Sequence, residues 1–270
     1  MESLDGESKT GKWLYEDIVP LTYADEKFQV KYYDIQRKTE LFELFKEIRK
    51  EVGSILRLPI IHIEAHGDES GFEIAKTKEE ITWTELSNTL AEINFATRNN
   101  IILSLGICNG YYINLEQADR FRNGQRCAYA INISPQKKID WNEIKFGYSN
   151  FYQCLLKQKD FGSAMDQMRE VTPLNILTTA DSTAHQIADY VKKFLLDPIR
   201  VSDQLKGLIE KGNELLPGKN FNRNFKALKN YKREFGKNQL IKKWDHFLMM
   251  DSFEENRTKF PDFELIWDKL

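Results

Sequence analysis

Leu58–Gly67, LPIIHIEAHG, and Asn100–Gly110, NIILSLGICNG, are the two stretches whose reading decides how the chain folds. Each is a short apolar run bounded by turn-forming residues, the pattern of a strand buried on both faces of a parallel sheet. Each also ends on a reactive side chain with a glycine close behind: His66 before Gly67, Cys108 before Gly110. A helical pattern between them supplies the crossover that parallel neighbours need. Two such strands side by side would place an imidazole and a thiol at the carboxyl edge of one sheet, where open α/β sheets carry their sites.

The flanking sequence extends the pattern. FQVKYYDI, from Phe28 to Ile35, alternates and is aromatic-rich, so a strand is expected there. Leu41, Leu44, Phe45, Ile48 and Val52 recur at spacings of three and four, the signature of one helix face. After His66, the runs GFEIA and EEITW predict a small hairpin, and Thr82 or Thr84 can cap a helix striped by Trp83, Leu86, Leu90 and Ile93. Beyond Cys108, LEQADRFR predicts a short helix, CAYAINISP (Cys127–Pro135) a further strand, and Trp141 opens a long helix followed by SAMDQMREV. Past Thr172 no strand is expected, only helical pattern interrupted by Pro198. The chain therefore divides into a loosely ordered polar lead-in (1–25), an α/β domain with a mostly parallel sheet flanked by helices (26–175) and an all-helical extension (176–270).

Bulk properties bound the function. Hydrophobic content of 41% and charged content of 30% are globular values, and a formal net charge of −2 gives no ground for nucleic acid as a partner of the whole chain. The first residues, MESLDGESKTGK, do not resemble a signal peptide, and no apolar run approaches the ~20 residues that span a bilayer. Three cysteines, Cys108, Cys127 and Cys154, have no paired spacing, which suits free thiols in a reducing, cytoplasmic setting.

A cysteine nucleophile needs an adjacent base, and the sheet edge brings His66 to Cys108 across 42 positions of sequence. Gly67 and Gly110 would allow close backbone approach and backbone angles that other residues avoid. Glu64 alternates to the face of His66 and His62, so it could orient His66, although a solvated or ion-paired carboxylate is its plainer reading. The same three side chains do not amount to a metal site, because no further ligand cluster accompanies them. Cys127 and Cys154 read as core thiols. Neither GxGxxG nor GxxxxGK[ST] follows a strand, so no dinucleotide or nucleoside triphosphate cofactor is implied.

The order strand–HG, hairpin, ITWTEL helix, strand–CNG resembles the caspase-like cysteine peptidases, especially their bacterial CHAT-type branch. The strand CAYAINIS, the helix bearing FYQCLL and the segment FGSAMDQMRE extend the likeness over Phe28–Thr172. The resemblance implies a caspase-like sheet, Cys108 as nucleophile, His66 as general base and acid, and the backbone amides of Gly67 and Cys108 as oxyanion donors. It implies a peptide or protein substrate and no cofactor. The residue two before the cysteine, which helps set cleavage preference in that family, is here Gly106. Asp68, Glu69 and Asp119 would favour a basic substrate side chain, Lys137 and Lys138 an acidic one. A catalytically silent adaptor on the same fold is the competing reading.

The extension is unevenly charged. Arg200–Lys243 holds twelve basic and four acidic residues, a net of +8, and Trp244–Leu270 carries a net of −4. Arg223, Lys226, Lys229, Lys232 and Arg233 are interleaved with Phe221, Phe225, Tyr231 and Phe235, a combination that suits stacking of a base and pairing with phosphate, or alternatively a solvated amphipathic helix. An intracellular protease must be held in check, so the extension is expected to receive an activating small nucleotide or partner protein, as in effectors of bacterial antiviral defence.

Overall fold

The computed structural model describes residues 1–4, 9–23, 25, 27–54, 58–171, 174–181, 183–184, 206 and 225–267. Among these, chain contacts define two units, residues 1–119 with 127–179, and residues 120–126 with 180–270.

The first unit is α/β. Its elements are β1 (Glu2–Ser3), α1 (Thr10–Thr22), α2 (Lys38–Ser54), β2 (Ile60–Gly67), β3 (Gly71–Ile74), β4 (Glu79–Thr82), α3 (Trp83–Ala96), β5 (Ile102–Ile107), most of α4 (Ile113–Arg122), whose end from Arg120 belongs to the second unit, β6 (Ile131–Pro135), α5 (Trp141–Gln158), α6 (Phe161–Val171) and β7 (Leu174–Thr178). The sheet runs β4-β3-β2-β5-β6-β7, with β1 on β2. Parallel pairing joins β1 to β2, β2 to β5 and β5 to β6, and the β3–β4 hairpin and β7 add antiparallel margins. The expected α/β class with a mostly parallel sheet, and a helical C-terminal part, is what the chain forms.

Alternation along the strands explains the layers. Ile61, Ile63 and Ala65 of β2 and Leu103, Leu105 and Ile107 of β5 face a core completed by Leu41 and Phe45 of α2 and Leu86 and Leu90 of α3. The opposite face meets Leu14 and Ile18 of α1, Tyr148, Phe151 and Tyr152 of α5, and Met165 and Met168 of α6. Phe45 and Phe151 are fully buried; truncating either to alanine would cost about 3–5 kcal/mol. Thr82 caps α3 through a capping box with Glu85.

Three sequence expectations are corrected. The lead-in is not loosely ordered throughout, because α1 forms and buries Thr10, Leu14, Ile18 and Thr22, a stripe at spacing four that runs past Gly11 and Pro20. Phe28–Ile35 is not a strand. It reaches the sheet through a single bridge, Glu2 to Asp34, with Glu2 N–H donating to Tyr33 O at 2.9 Å and Ile35 N–H to Glu2 O at 2.8 Å. The two-residue β1 is too short to offer it a longer ladder. Conversely, Leu174–Thr178 does form a strand, antiparallel to β6 with Ile131 opposite Thr178.

The second unit has its own core. Helix α7 (Phe225–Phe247) is followed by a turn with Met249 at φ 61°, then α8 (Asn256–Lys259) and α9 (Phe263–Trp267). Trp244, Phe247, Phe263 and Trp267 are buried, and Trp244 Nε1–H donates to Pro261 O at 2.9 Å. Among the described residues, no helix is long and apolar enough to cross a membrane.

Candidate active site

The register of β2 on β5 ends with Ala65 opposite Ile107, so the next residues along each strand are His66 and Cys108. Both belong to the sheet face that carries His62, Glu64 and Ser104, since Ala65 and Ile107 face the other core and Cys108 packs against the α1–α5 layer. His66 is exposed and Cys108 partly buried, its sulfur 3.9 Å from the Ile139 carbonyl. An exposed imidazole and a partly buried thiol thus occupy neighbouring positions at the carboxyl edge of the parallel strands.

The turn after Cys108 is closely tied down. Asn109 holds the left-handed conformation (φ 59°, ψ 18°), its N–H donates to Lys137 O at 3.4 Å, and Tyr112 N–H closes back on Asn109 O at 3.0 Å. Asn114 of α4 donates to Tyr111 O at 2.8 Å and accepts from the buried Tyr129 hydroxyl at 3.1 Å. The left-handed angle therefore falls on asparagine, which tolerates it, rather than on Gly110. Gly110 is a packing glycine, since a Cβ there would sit 3.2 Å from Leu105 Cβ.

Gly67 is also chosen for space and has no positive φ. A Cβ on it would meet Ile107 Cγ2 and come within 2.6 Å of Gly71 O. On the outer edge of β2, Glu64 N–H donates to Met1 O and Asp68 N–H to Gly71 O. Alternation turns the intervening Gly67 amide the other way, toward β5 and Cys108.

Glu64 does not orient His66, and it is not solvated. It is 1% exposed, with Oε1 2.9 Å from His62 Nε2 and Oε2 accepting from the Thr10 hydroxyl. His62 Nδ1 lies 2.8 Å from Ser104 Oγ and 3.2 Å from the Tyr152 hydroxyl. Burial lowers the pKa of His62, against the opposing pull of Glu64. A neutral ring donates from Nε2 to the carboxylate and accepts at Nδ1 from one of the two hydroxyls. Gly106 belongs to this arrangement too: a Cβ there would lie 2.9 Å from Glu64 Cγ. Beneath His66 and Cys108 lies a buried polar network that fixes β2 against β5, α1 and α5.

The remaining cysteines are buried, Cys127 with its sulfur 3.2 Å from Asn99 Oδ1 and Cys154 in the α5 core. Asp68 accepts from Ser70 N–H and Oγ–H, both at 2.7 Å, which holds its carboxyl below the usual range. A hydrogen bond to Glu69 raises the Tyr112 phenol. Sequence reasoning passed over Glu73, which faces His66 directly across the β2–β3 ladder and pairs with Lys78 at 2.8 Å. Its signal was the hairpin alternation itself. Arg223 lies outside the described residues, and Lys226, Lys229, Lys232 and Arg233 lie where the backbone of α7 is described and the side chains are not.

No protein-family model, curated protein or solved structure matches the chain.

Proposed function

We propose that the chain is a caspase-like cysteine endopeptidase with a His66–Cys108 dyad. The observation that carries this reading is the side-by-side placement of the two residues, on one face, just past the last paired positions of β2 and β5. His66 takes the thiol proton, and the Cys108 thiolate attacks the scissile carbonyl. The carbonyl electrons move onto oxygen, and the Gly67 amide, turned toward β5, with that of Cys108, is assigned to receive that charge. As the C–N bond breaks, His66 returns its proton to the departing amine, leaving a thioester. Water, deprotonated by His66, then cleaves the thioester and restores the thiol. Glu64 takes no direct part, so the dyad works without a carboxylate from its own strand.

The wider role proposed, a bacterial defence effector switched on by a small nucleotide or partner protein, rests on the family likeness and on the basic stretch of the extension.

Covalent labelling tests the chemistry. A peptidyl acyloxymethyl ketone should modify Cys108 in the native protein, with the reaction lost in Cys108→Ala and strongly slowed in His66→Ala while both variants keep the native melting temperature. Labelling at Cys127 or Cys154 instead, or a rate unaffected by His66→Ala, would overturn the dyad and leave the adaptor reading.

A further inference from the structure

The segment after β6 carries a surface that the chemistry above does not use. Asn109 N–H donates to Lys137 O at 3.4 Å and Cys108 Sγ lies 3.9 Å from Ile139 O, so this strip of backbone passes beside the nucleophile. Ile139 is buried beneath it, and Lys137 and Lys138 are exposed. Two residues further on, Trp141 opens α5 with 50% of its surface exposed. Its ring packs edge-on against Trp13 of α1, with centroids 5.9 Å apart. Lys145, one helical turn later, holds its ammonium 4.6 Å from the centre of the Trp13 ring. A strip of amines and aromatic faces therefore begins at the thiol and runs onto α1 and α5.

The acidic residues of the same segment are engaged by backbone amides. Asp140 accepts from Asn142 N–H at 2.7 Å and Glu143 N–H at 3.0 Å, and Glu143 accepts from Asp140 N–H at 3.0 Å, closing the cap of α5. On the other side of the site, Asp68 is held by Ser70 and Glu69 by Tyr112. The His66 side is acidic, and the Cys108 side presents cations next to tryptophan. Tryptophan is among the side chains on which binding energy concentrates when a partner covers it, and a carboxylate next to an apolar group complements both halves of the strip.

We propose that Lys137, Lys138, Trp141 and Trp13 form the ledge that receives the substrate chain, and that it selects segments in which an acidic side chain neighbours an apolar one. The inference rests on the cysteine-peptidase reading for its placement beside the reacting centre, and it is tested without relying on turnover.

The test uses the full chain carrying Cys108→Ala and fluorescein-labelled peptides that differ in one fixed pair, Glu-Leu, Lys-Leu or Gly-Ser. Fluorescence polarisation should show the Glu-Leu peptide binding about fivefold more tightly than the Lys-Leu peptide, the gain expected of exposed ion pairs. The preference should invert in Lys137→Glu/Lys138→Glu, and Trp141→Ala should weaken both peptides while leaving their ratio unchanged. Equal binding of the three peptides, or a preference untouched by the charge reversal, overturns the ledge. The two readings separate in the native chain: Cys108-dependent cleavage with no preference removes the ledge and keeps the peptidase. Preferential binding with no Cys108-dependent cleavage keeps the ledge and removes the peptidase.

Discussion

The side chain of Glu64 occupies the space that any side chain at position 106 would need. A Cβ built on Gly106 lies 2.9 Å from Glu64 Cγ, 3.3 Å from Glu64 Cδ and 3.5 Å from Ile144 Cγ2. In the family that the sequence resembles, the residue two before the cysteine helps choose the substrate. Here the direction in which it would project is filled from β2 and closed by the first turn of α5, so in the proposed peptidase selection would come from the loops around the edge.

The first prediction follows directly. Gly106→Ala should destabilise the protein by about 1–3 kcal/mol, the usual cost of overpacking, read as a lower denaturation midpoint at unchanged slope. Glu64→Ala removes the atoms in the way but leaves His62 Nε2 without its buried acceptor, at about 1–3 kcal/mol. The double variant should lose less than the two single variants together, because they share one contact. Additive losses would show that Gly106 and Glu64 are not in conflict.

His62 makes the fold sensitive to acid. Its pKa in the folded protein is lowered by burial, so below the ordinary histidine value of about 6.5 the unfolded chain binds a proton that the folded chain resists. Stability from this group is complete above about pH 6.5 and declines as pH falls toward the lowered value. Urea midpoints measured from pH 8 to pH 5 should drop over that window, and His62→Gln, which cannot titrate, should flatten that part of the profile. An identical slope in the variant would assign the acid sensitivity to other groups.

What the sequence made legible was whatever depends on local pattern. β2, the hairpin, the Thr82-capped helix and β5 follow from period, caps and turns, and their order alone brings His66 level with Cys108. Strand Leu174–Thr178 was illegible because five residues lying between two helical patterns take their strand character from the β6 edge they meet, not from themselves. Helix α1 was hidden by Gly11 and Pro20, which weaken the local signal while Leu14 and Ile18 pack against α5. The fate of Glu64 was legible in part: alternation put it on the face of His62, with which it pairs, whereas its burial and its second partner, Thr10, are fixed by tertiary packing.

Asp140 links the stability of α5 to the site. Its carboxylate caps the helix through Asn142 N–H and Glu143 N–H, and Asp140→Ala should cost about 1 kcal/mol. The same change frees the loop whose Lys137 and Ile139 carbonyls lie against Asn109 and Cys108. Cys108 alkylation by iodoacetamide should therefore change in rate at a temperature where the variant remains fully folded. An unchanged rate alongside the expected loss of stability would mean the cap and the thiol are uncoupled.

Gly67 tests whether the hairpin places the imidazole. A methyl group at Gly67 would run into Ile107 Cγ2 on one side and approach Gly71 O to 2.6 Å on the other. The first neighbour is a side chain that can be trimmed, whereas the second is backbone and cannot yield without opening the β2–β3 pairing of His66 with Glu73 and Gly67 with Phe72. Gly67→Ala should cost about 1–3 kcal/mol, and it should cost nearly as much in an Ile107→Ala background, which lacks Cγ2, because the carbonyl remains. The displaced hairpin end carries His66 with it, so His66-dependent labelling of Cys108 should fall further than the fraction unfolded explains. If Gly67→Ala melts like the native protein and labels at the native rate, the close approach at this strand end is not what holds the base in place.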